Sequence, residues 1–392
     1  MKKNILHTPE GVRDIYNEEI EKRDVLINKL KNLIRTYGYD NIDTPTFEYM
    51  SVYYKDITLT KTKDLYKFFD KEGNTLVLRP DFTPSIARAV SKYFPKEEII
   101  RLFYVGNVFS NNRRYQGRLK ESCQFGGELI GEESIDSDAE ILSIIVNALK
   151  SCKLDNFQIS IGHADVFKAL IEIGNFDEDD TEVIREYMLN RNIFGLEEFL
   201  ESRNTSENLI KLFLSICKMY TPGSKEWLSL LDEARSYDTL YKSLNYLNDL
   251  YEVLKSYGVE NYISFETGSL SEYYYYTGII FAGYTYGNGE PIVTGGRYDN
   301  LLSNFGESRA AIGFGIFVDQ LQFALDRQNI IYTKKHKKII LCYKKDDRNT
   351  AINEAIKLRE QGNIVELIPL KDDFNKTKSL YENDNVTIME IK

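Results

Sequence analysis

Three features of the sequence predict an α+β fold. Residues 101–131 read as a long antiparallel hairpin, residues from about 165 to 258 are almost wholly helical, and residues 336–392 alternate strand with helix. The alternation signals a small α/β domain with a largely parallel sheet. The predicted layout is therefore a core spanning 1–330, with a helical insertion at about 165–258, and a separate domain at 336–392.

From Asn17, NEEIEKRDVLINKLKNLIRTYGYD places Ile20, Val25, Leu26, Leu30, Leu33, Ile34 and Tyr37 at near-helical spacing. Glu18 and Glu19 suit its first turn and Gly38 its end. NIDTPTFEYM is a strand candidate that Pro45 restricts to an edge or an end. NTLVLRPDFTPSIARAV runs from strand into helix, and RLFYVGNVFS and ESCQFGGELIG flank the basic loop NNRRYQGRLK as hairpin strands. IDSDAEILSIIVNALKSC is predicted helical, with Asp136 or Ser137 near its start, and NFQISIGH a strand. After the insertion, YISFETG, YYYYTGIIFAGYTYG and EPIVTGG return to strand character, and a helix is expected from about Gly313 to Arg327. Beyond the charged linker YTKKHKK, KIILCYK, NIVELIPL and VTIMEI are strands, NTAINEAIKLREQG is a helix, and KTKSLYEND is left open.

Composition narrows the function classes. Of the 392 residues, 42% are apolar and 28% charged, as in ordinary globular proteins. No run approaches the roughly 18 apolar residues of a membrane span, and MKKNILHTPEGVRD has no apolar stretch behind its lysines. The expected compartment is the cytoplasm. A net charge of −10 argues against an extended nucleic-acid-binding face. Cys123, Cys152, Cys217 and Cys342 lack C-x-x-C spacing, and His7, His163 and His336 stand isolated, so neither disulfides nor a metal site is expected. GGRYDN lacks the Walker lysine, and no G-x-G-x-x-G opens a helix, so no nucleotide cofactor is expected.

The candidate chemistry lies in polar residues on otherwise apolar strands. Gln124, Gly126 and Glu128 alternate and so share one strand face, with Gly126 leaving space for a ligand. Asp81 and Thr83 likewise share a side, and the tyrosines of YYYYTGIIF offer neutral donors and acceptors. Carboxylates, an amide, a hydroxyl and phenols suit a small cationic amino acid. The same residues can equally be polar groups satisfying one another, and spacing does not separate the two readings.

A family resemblance separates them. TPEGVRDI (8–15) with YGYDNIDTPTFE (37–48), LRPDFTPSIAR (78–88), FYVGNVFS through ELIG (103–131), YYTGIIF (275–281), GGRYDNLL (295–302) and AAIGFGIFVDQL (310–321) resemble, in order, the motifs of histidyl-tRNA synthetase, a class II aminoacyl-tRNA synthetase. The resemblance implies a class II core, a mostly antiparallel sheet flanked by helices, dimerised through residues 8–48. It also implies a C-terminal domain like a shortened anticodon-binding domain. Asp81, Thr83 and Gln124 match the residues that hold the histidine ammonium, and Glu128 and Tyr276, with Tyr275 beside it, those that hold the imidazole. Three arginines that assist ATP chemistry in the enzyme are replaced here by Ser110, Ser271 and Gln320. Losing one such cation costs roughly 10²–10³ in rate, so no aminoacylation and no catalytic residues are expected. Without an arginine at Ser271, the ligand carboxylate needs another group, for which Arg118 is a candidate.

A chain that keeps histidine recognition but lacks the ATP-binding cations resembles the regulatory subunits of ATP phosphoribosyltransferase. That resemblance implies an assembly role: partnership with a short catalytic subunit in the first step of histidine biosynthesis, and L-histidine as feedback effector. No tRNA or membrane partner is expected. The alternative is a functional histidyl-tRNA synthetase, or another synthetase-like paralogue; the three lost arginines count against the first.

Overall fold

Helix α1 (Glu18–Arg35) buries Leu26, Leu30 and Ile34 along one stripe, and Gly38, at φ 80°, lies just past its end. The computed structural model describes residues 6–54, 64–111, 119–268, 276–331, 338–371, 373–382 and 386–391. The chain divides into two compact units, Met1–Tyr332 and Thr333–Lys392.

Pro45 splits the expected strand after α1 into two pieces that join different sheets. Strand β1 (Asp40–Asn41) lies at the edge of the main sheet, and β2 (Phe47–Tyr49) pairs elsewhere. After the short helix α2 (Ser51–Tyr54), β3 (Lys67–Phe69) and β4 (Thr75–Leu78) complete a small antiparallel sheet of order β2-β4-β3. Helix α3 (Thr83–Tyr93) begins with Pro84 in its first turn, where the missing N–H is no loss. Strands β5 (Ile100–Phe109) and β6 (Glu121–Ile130) form the expected hairpin, in continuous register from Ile100 opposite Ile130 to Phe109 opposite Glu121. Ser134 caps α4 (Ile135–Ser151) by accepting from the Ser137 N–H, and Asp136 and Ser137 lie in the first turn, near the start as the sequence suggested. That helix is apolar nearly all round because it is buried between the sheet, α1 and a later helix.

Strand β7 (Phe157–His163) leads into α5 (Ala164–Gly174), α6 (Glu178–Leu189), α7 (Ile193–Ser202) and α8 (Glu207–Ile216). The two-residue strand β8 (Met219–Tyr220) precedes α9 (Lys225–Ala234) and α10 (Asp238–Ser256). The main sheet is finished by β9 (Ile263–Glu266), β10 (Ile279–Thr285), β11 (Val293–Arg297) and β12 (Ala311–Phe317), followed by α11 (Val318–Arg327). Here the sequence expectation is corrected: residues 313–317 are strand, and the helix begins at Val318. Glycine is a poor helix former, and AIGFGIF is held as a strand by ladders to β6 on one side and β11 on the other.

The main sheet runs β1-β5-β6-β12-β11-β10-β7-β9-β8, antiparallel except for β1 with β5 and β7 with β9. Its core is continuous with that of the helical insertion: Trp227, Leu244, Leu247, Leu250 and Leu254 belong to the same apolar cluster as Ile34, Ile145 and Phe314.

In the second unit, β13 (Lys338–Tyr343), α12 (Arg348–Glu360), β14 (Ile364–Pro369), α13 (Phe374–Tyr381) and β15 (Val386–Ile391) form an all-parallel sheet of order β14-β13-β15. The undecided segment KTKSLYEND thus contains most of a helix, capped by Asp373. Among the described residues no helix is long and apolar enough to cross a membrane, and no group of three or more His, Cys, Asp or Glu could hold a metal ion.

Candidate functional site

Alternate residues of a strand face one side of a sheet, and in the centre of the main sheet that side is lined with glycine. Gly126 of β6 opposes Gly315 of β12, and Gly313 of β12 opposes Gly296 of β11. Neighbouring side chains lie in the space the missing Cβ atoms leave. A Cβ on Gly126 would collide with the Tyr104 ring, one on Gly315 with the Gln124 amide and one on Gly313 with the Glu128 carboxyl, while one on Gly296 would reach the Tyr276 ring at 2.8 Å. Gly126 therefore does not hold space for a ligand, as its sequence position suggested; Tyr104 fills that space. The cavity forms above this floor and is lined by Asp81, Thr83, Tyr104, Gln124, Tyr276, Thr294 and Tyr298, with backbone from 295 and 313–315.

Asp81 and Thr83 reach it from outside the sheet. Neither is on a strand: Asp81 lies in the turn after β4, and Thr83 opens α3. The Thr83 N–H points at Asp81 Oδ1 from 3.4 Å. The turn is pinned from behind by Tyr53, whose hydroxyl donates to the Asp81 carbonyl at 3.2 Å and shares a 2.8 Å hydrogen bond with Ser85.

Glu128 lies one layer deeper and is 1% exposed. Thr83 Oγ1 donates to its Oε1 at 2.9 Å, and Tyr298 Oη donates to its Oε2 at 2.5 Å. Burial pushes its carboxyl up to about 8; the two hydroxyl donors oppose the shift and the nearby Asp81 charge adds to it. Glu128 thus links the opening of α3 to β11's exit through Tyr298.

A buried ionic cluster fixes that exit. Arg297 donates through Nε and Nη2 to Asp138 Oδ1 at 2.9 and 2.5 Å, through Nη2 to Ser137 Oγ at 2.7 Å and through Nη1 to Asp299 Oδ1 at 3.1 Å. Asp299 Oδ2 accepts from Thr277 Oγ1 at 3.0 Å, and the Thr277 N–H donates to the Arg297 carbonyl at 2.8 Å. Tyr276 and Tyr298, each adjacent in sequence to this cluster, are thereby placed on the same cavity.

Of the residues expected from sequence, Asp81, Thr83, Gln124 and Tyr276 meet at the cavity, and Glu128 lies beneath it. Tyr275, Ser271 and Arg118 lie outside the described residues. Ser110 is exposed just past β5, its N–H bonded to the Lys120 carbonyl at 2.9 Å, and Gln320 lies in the first turn of α11. Sequence reasoning did not assign Tyr104, Thr294 or Tyr298 to the site. The signal for Tyr104 was its register opposite Gly126, visible only once the hairpin is paired.

A family model described as histidyl-tRNA synthetase matches residues 11–321. The chain is 35% identical to an ATP phosphoribosyltransferase regulatory subunit of Acetivibrio thermocellus over 375 residues, covering 95% of this chain and 89% of that protein. It is 36% identical to one of Caldanaerobacter subterraneus subsp. tengcongensis over 367 residues, covering 94% of this chain and 95% of that protein. A crystal structure of an ATP phosphoribosyltransferase regulatory subunit/histidyl-tRNA synthetase from Bacillus halodurans matches with a TM-score of 0.86 at 30% identity, both chains covered in full. With a synthetase fold, and relatives matched along nearly the whole of both sequences, the chain belongs to the histidyl-tRNA synthetase-like family of ATP phosphoribosyltransferase regulatory subunits.

Proposed function

We propose that the chain binds L-histidine in the cavity above the glycine floor and acts as the non-catalytic subunit of an ATP phosphoribosyltransferase. It assembles with a short catalytic subunit and passes on feedback inhibition by histidine. In this reading Asp81, Thr83 and Gln124 receive the ammonium, and Glu128, Tyr276 and the adjacent Tyr275 serve the ring, whose N–H groups need acceptors. Residues 8–48 form a homodimer interface, and residues 336–392 correspond to a shortened anticodon-binding domain released from tRNA recognition.

The observation that supports this most is the contrast within one site. Acceptors for an amino acid converge on the cavity, while Ser110 and Gln320 stand where the resembled enzyme carries phosphate-binding arginines. Adenylate formation develops charge on phosphate oxygens and needs oriented cations there.

The test is co-expression with a short-form catalytic subunit. The expected result is a stable complex that forms phosphoribosyl-ATP and is inhibited by histidine. Each chain alone should be inactive, and this one should give no histidine-dependent ATP–pyrophosphate exchange. Exchange well above background from this chain alone would replace the regulatory reading with a synthetase one.

A further inference from the structure

One rung of facing residues crosses the cavity floor: Tyr104 of β5, Gly126 of β6, Gly315 of β12, Thr294 of β11 and Ala282 of β10. The Tyr104 ring covers Gly126, and Gln124 Nε2 occupies the place of the missing Gly315 Cβ. Thr294 is therefore the first side chain of the rung beyond the two glycines, and it lines the cavity beside the Gln124 amide. Facing residues on antiparallel strands hold their Cβ positions about 5 Å apart. An oxygen lodged between the Gln124 amide and Thr294 is then about 3 Å from each, within hydrogen-bond reach of both.

The polar groups of the cavity divide by whether the protein already engages them. Asp81 accepts the Thr83 N–H, Thr83 and Tyr298 donate to Glu128, and Tyr104 and Tyr276 also have partners. Among the described residues, neither the Gln124 amide nor the Thr294 hydroxyl has one. Gln124 is only 8% exposed, and a buried amide without a partner costs free energy until a ligand supplies it. Thr277 and Thr285, which bracket β10, both commit their hydroxyls to hydrogen bonds inside the protein. The two groups also stand apart from the acids: Asp81, Thr83 and Glu128 gather where β6 reaches residue 128, Gln124 lies four residues back along that strand, and Thr294 lies two strands across. No lysine or arginine is among the described lining residues.

We infer that Thr294 is a specificity residue of this cavity, its hydroxyl donating with the Gln124 N–H to the carboxylate of the bound amino acid. The Gln124 carbonyl remains for the ammonium. This rests on the proposed histidine site and adds the group that distinguishes an amino acid from its alcohol analogue. A carboxylate held by neutral donors still gains charge-assisted hydrogen bonds, so the seat needs no cation in the cavity wall.

The experiment is calorimetry on the full chain with L-histidine and with L-histidinol, which keeps the ring and ammonium but carries a neutral hydroxymethyl group instead of the carboxylate. Wild type should prefer histidine. Thr294→Val removes the hydroxyl but keeps a branched side chain suited to a strand. Its histidine affinity should fall roughly 10- to 100-fold, the scale of one charge-assisted hydrogen bond, with histidinol affinity unchanged. Thr294→Ser keeps the hydroxyl and should bind histidine far better than Thr294→Val; Thr294→Ala takes the place of the valine variant if that one does not fold. Unchanged histidine affinity in the folded variant without the hydroxyl overturns the assignment of Thr294. So does an equal loss of both ligands, which would make the threonine a packing residue, and so does a serine variant no better than the valine one. A wild type that binds both ligands equally overturns the carboxylate seat. Failure of wild type to bind either ligand overturns the histidine site itself.

Discussion

Glu128 carries the most environment-dependent chemistry in the site. Its ordinary value of 4.5 is raised to about 8 by burial, against the pull of the Tyr298 and Thr83 hydroxyls. The folded chain therefore holds this proton more tightly than the unfolded chain does. The stabilisation is fully present below about 4.5 and is lost as pH rises through 8. Wild type should lose thermal stability between pH 6 and pH 9, and Glu128→Gln, which cannot titrate, should lose less. Parallel melting curves for the two proteins across that range would show that Glu128 is ionised in the empty site.

At the scale of elements, the glycines of β11 and β12 divide by what their missing Cβ atoms face. Gly315 faces the far end of the Gln124 side chain, whereas Gly295 faces the Gly313 carbonyl and the Phe281 ring. Gly315→Ala should fold, because an amide can swing aside, but should lose histidine affinity as Gln124 leaves its place. Gly295→Ala presses on backbone in a strand paired on both edges, inside the nine-stranded sheet, and should be destabilised by about 1–3 kcal/mol, as for an overpacked core. Urea denaturation of both, with calorimetry on Gly315→Ala, checks the division; equal stability loss in the two would refute it. The same glycines explain the misplaced start of α11. Alternating Gly313 and Gly315 are compatible with a strand, but the choice depends on partners about 185 residues earlier in β6, across which Gly313 lies opposite Glu128.

Across the whole molecule, Asp138 ties together elements far apart in sequence. From α4 it accepts from Arg297 of β11, and its second oxygen accepts from Tyr246 of α10 at 2.7 Å. Removing one partner of a buried ion pair leaves the other charge uncompensated, at about 3–5 kcal/mol. Asp138→Ala should therefore fall near the lower end of that range, because Asp299 still faces Arg297. It should also loosen Tyr276 and Tyr298 together. Chemical denaturation measures the first effect and histidine affinity the second. A loss under about 1 kcal/mol would show that the cluster is not a structural tie. Since α10 shares its core with the main sheet, excising residues 165–258 should yield insoluble protein rather than a smaller working subunit.

Much was legible from local sequence because its causes are local. The 3.6-residue stripe of α1, the hairpin of β5 and β6 and the parallel tail each depend on side chains close together in the chain. The family motifs likewise carried Asp81, Thr83, Gln124 and Tyr276 to one cavity, since a motif records a tertiary site already built elsewhere. Three things were decided only by the fold. Strand register put Tyr104 into the space over Gly126, which spacing along β6 could not show. Burial, a property of the whole packed sheet, set the proton affinity of Glu128. The pairing of β12 with β6 and β11 overrode a helical reading of residues 313–317, because ladder hydrogen bonds on both edges outweigh the weak preferences of seven residues.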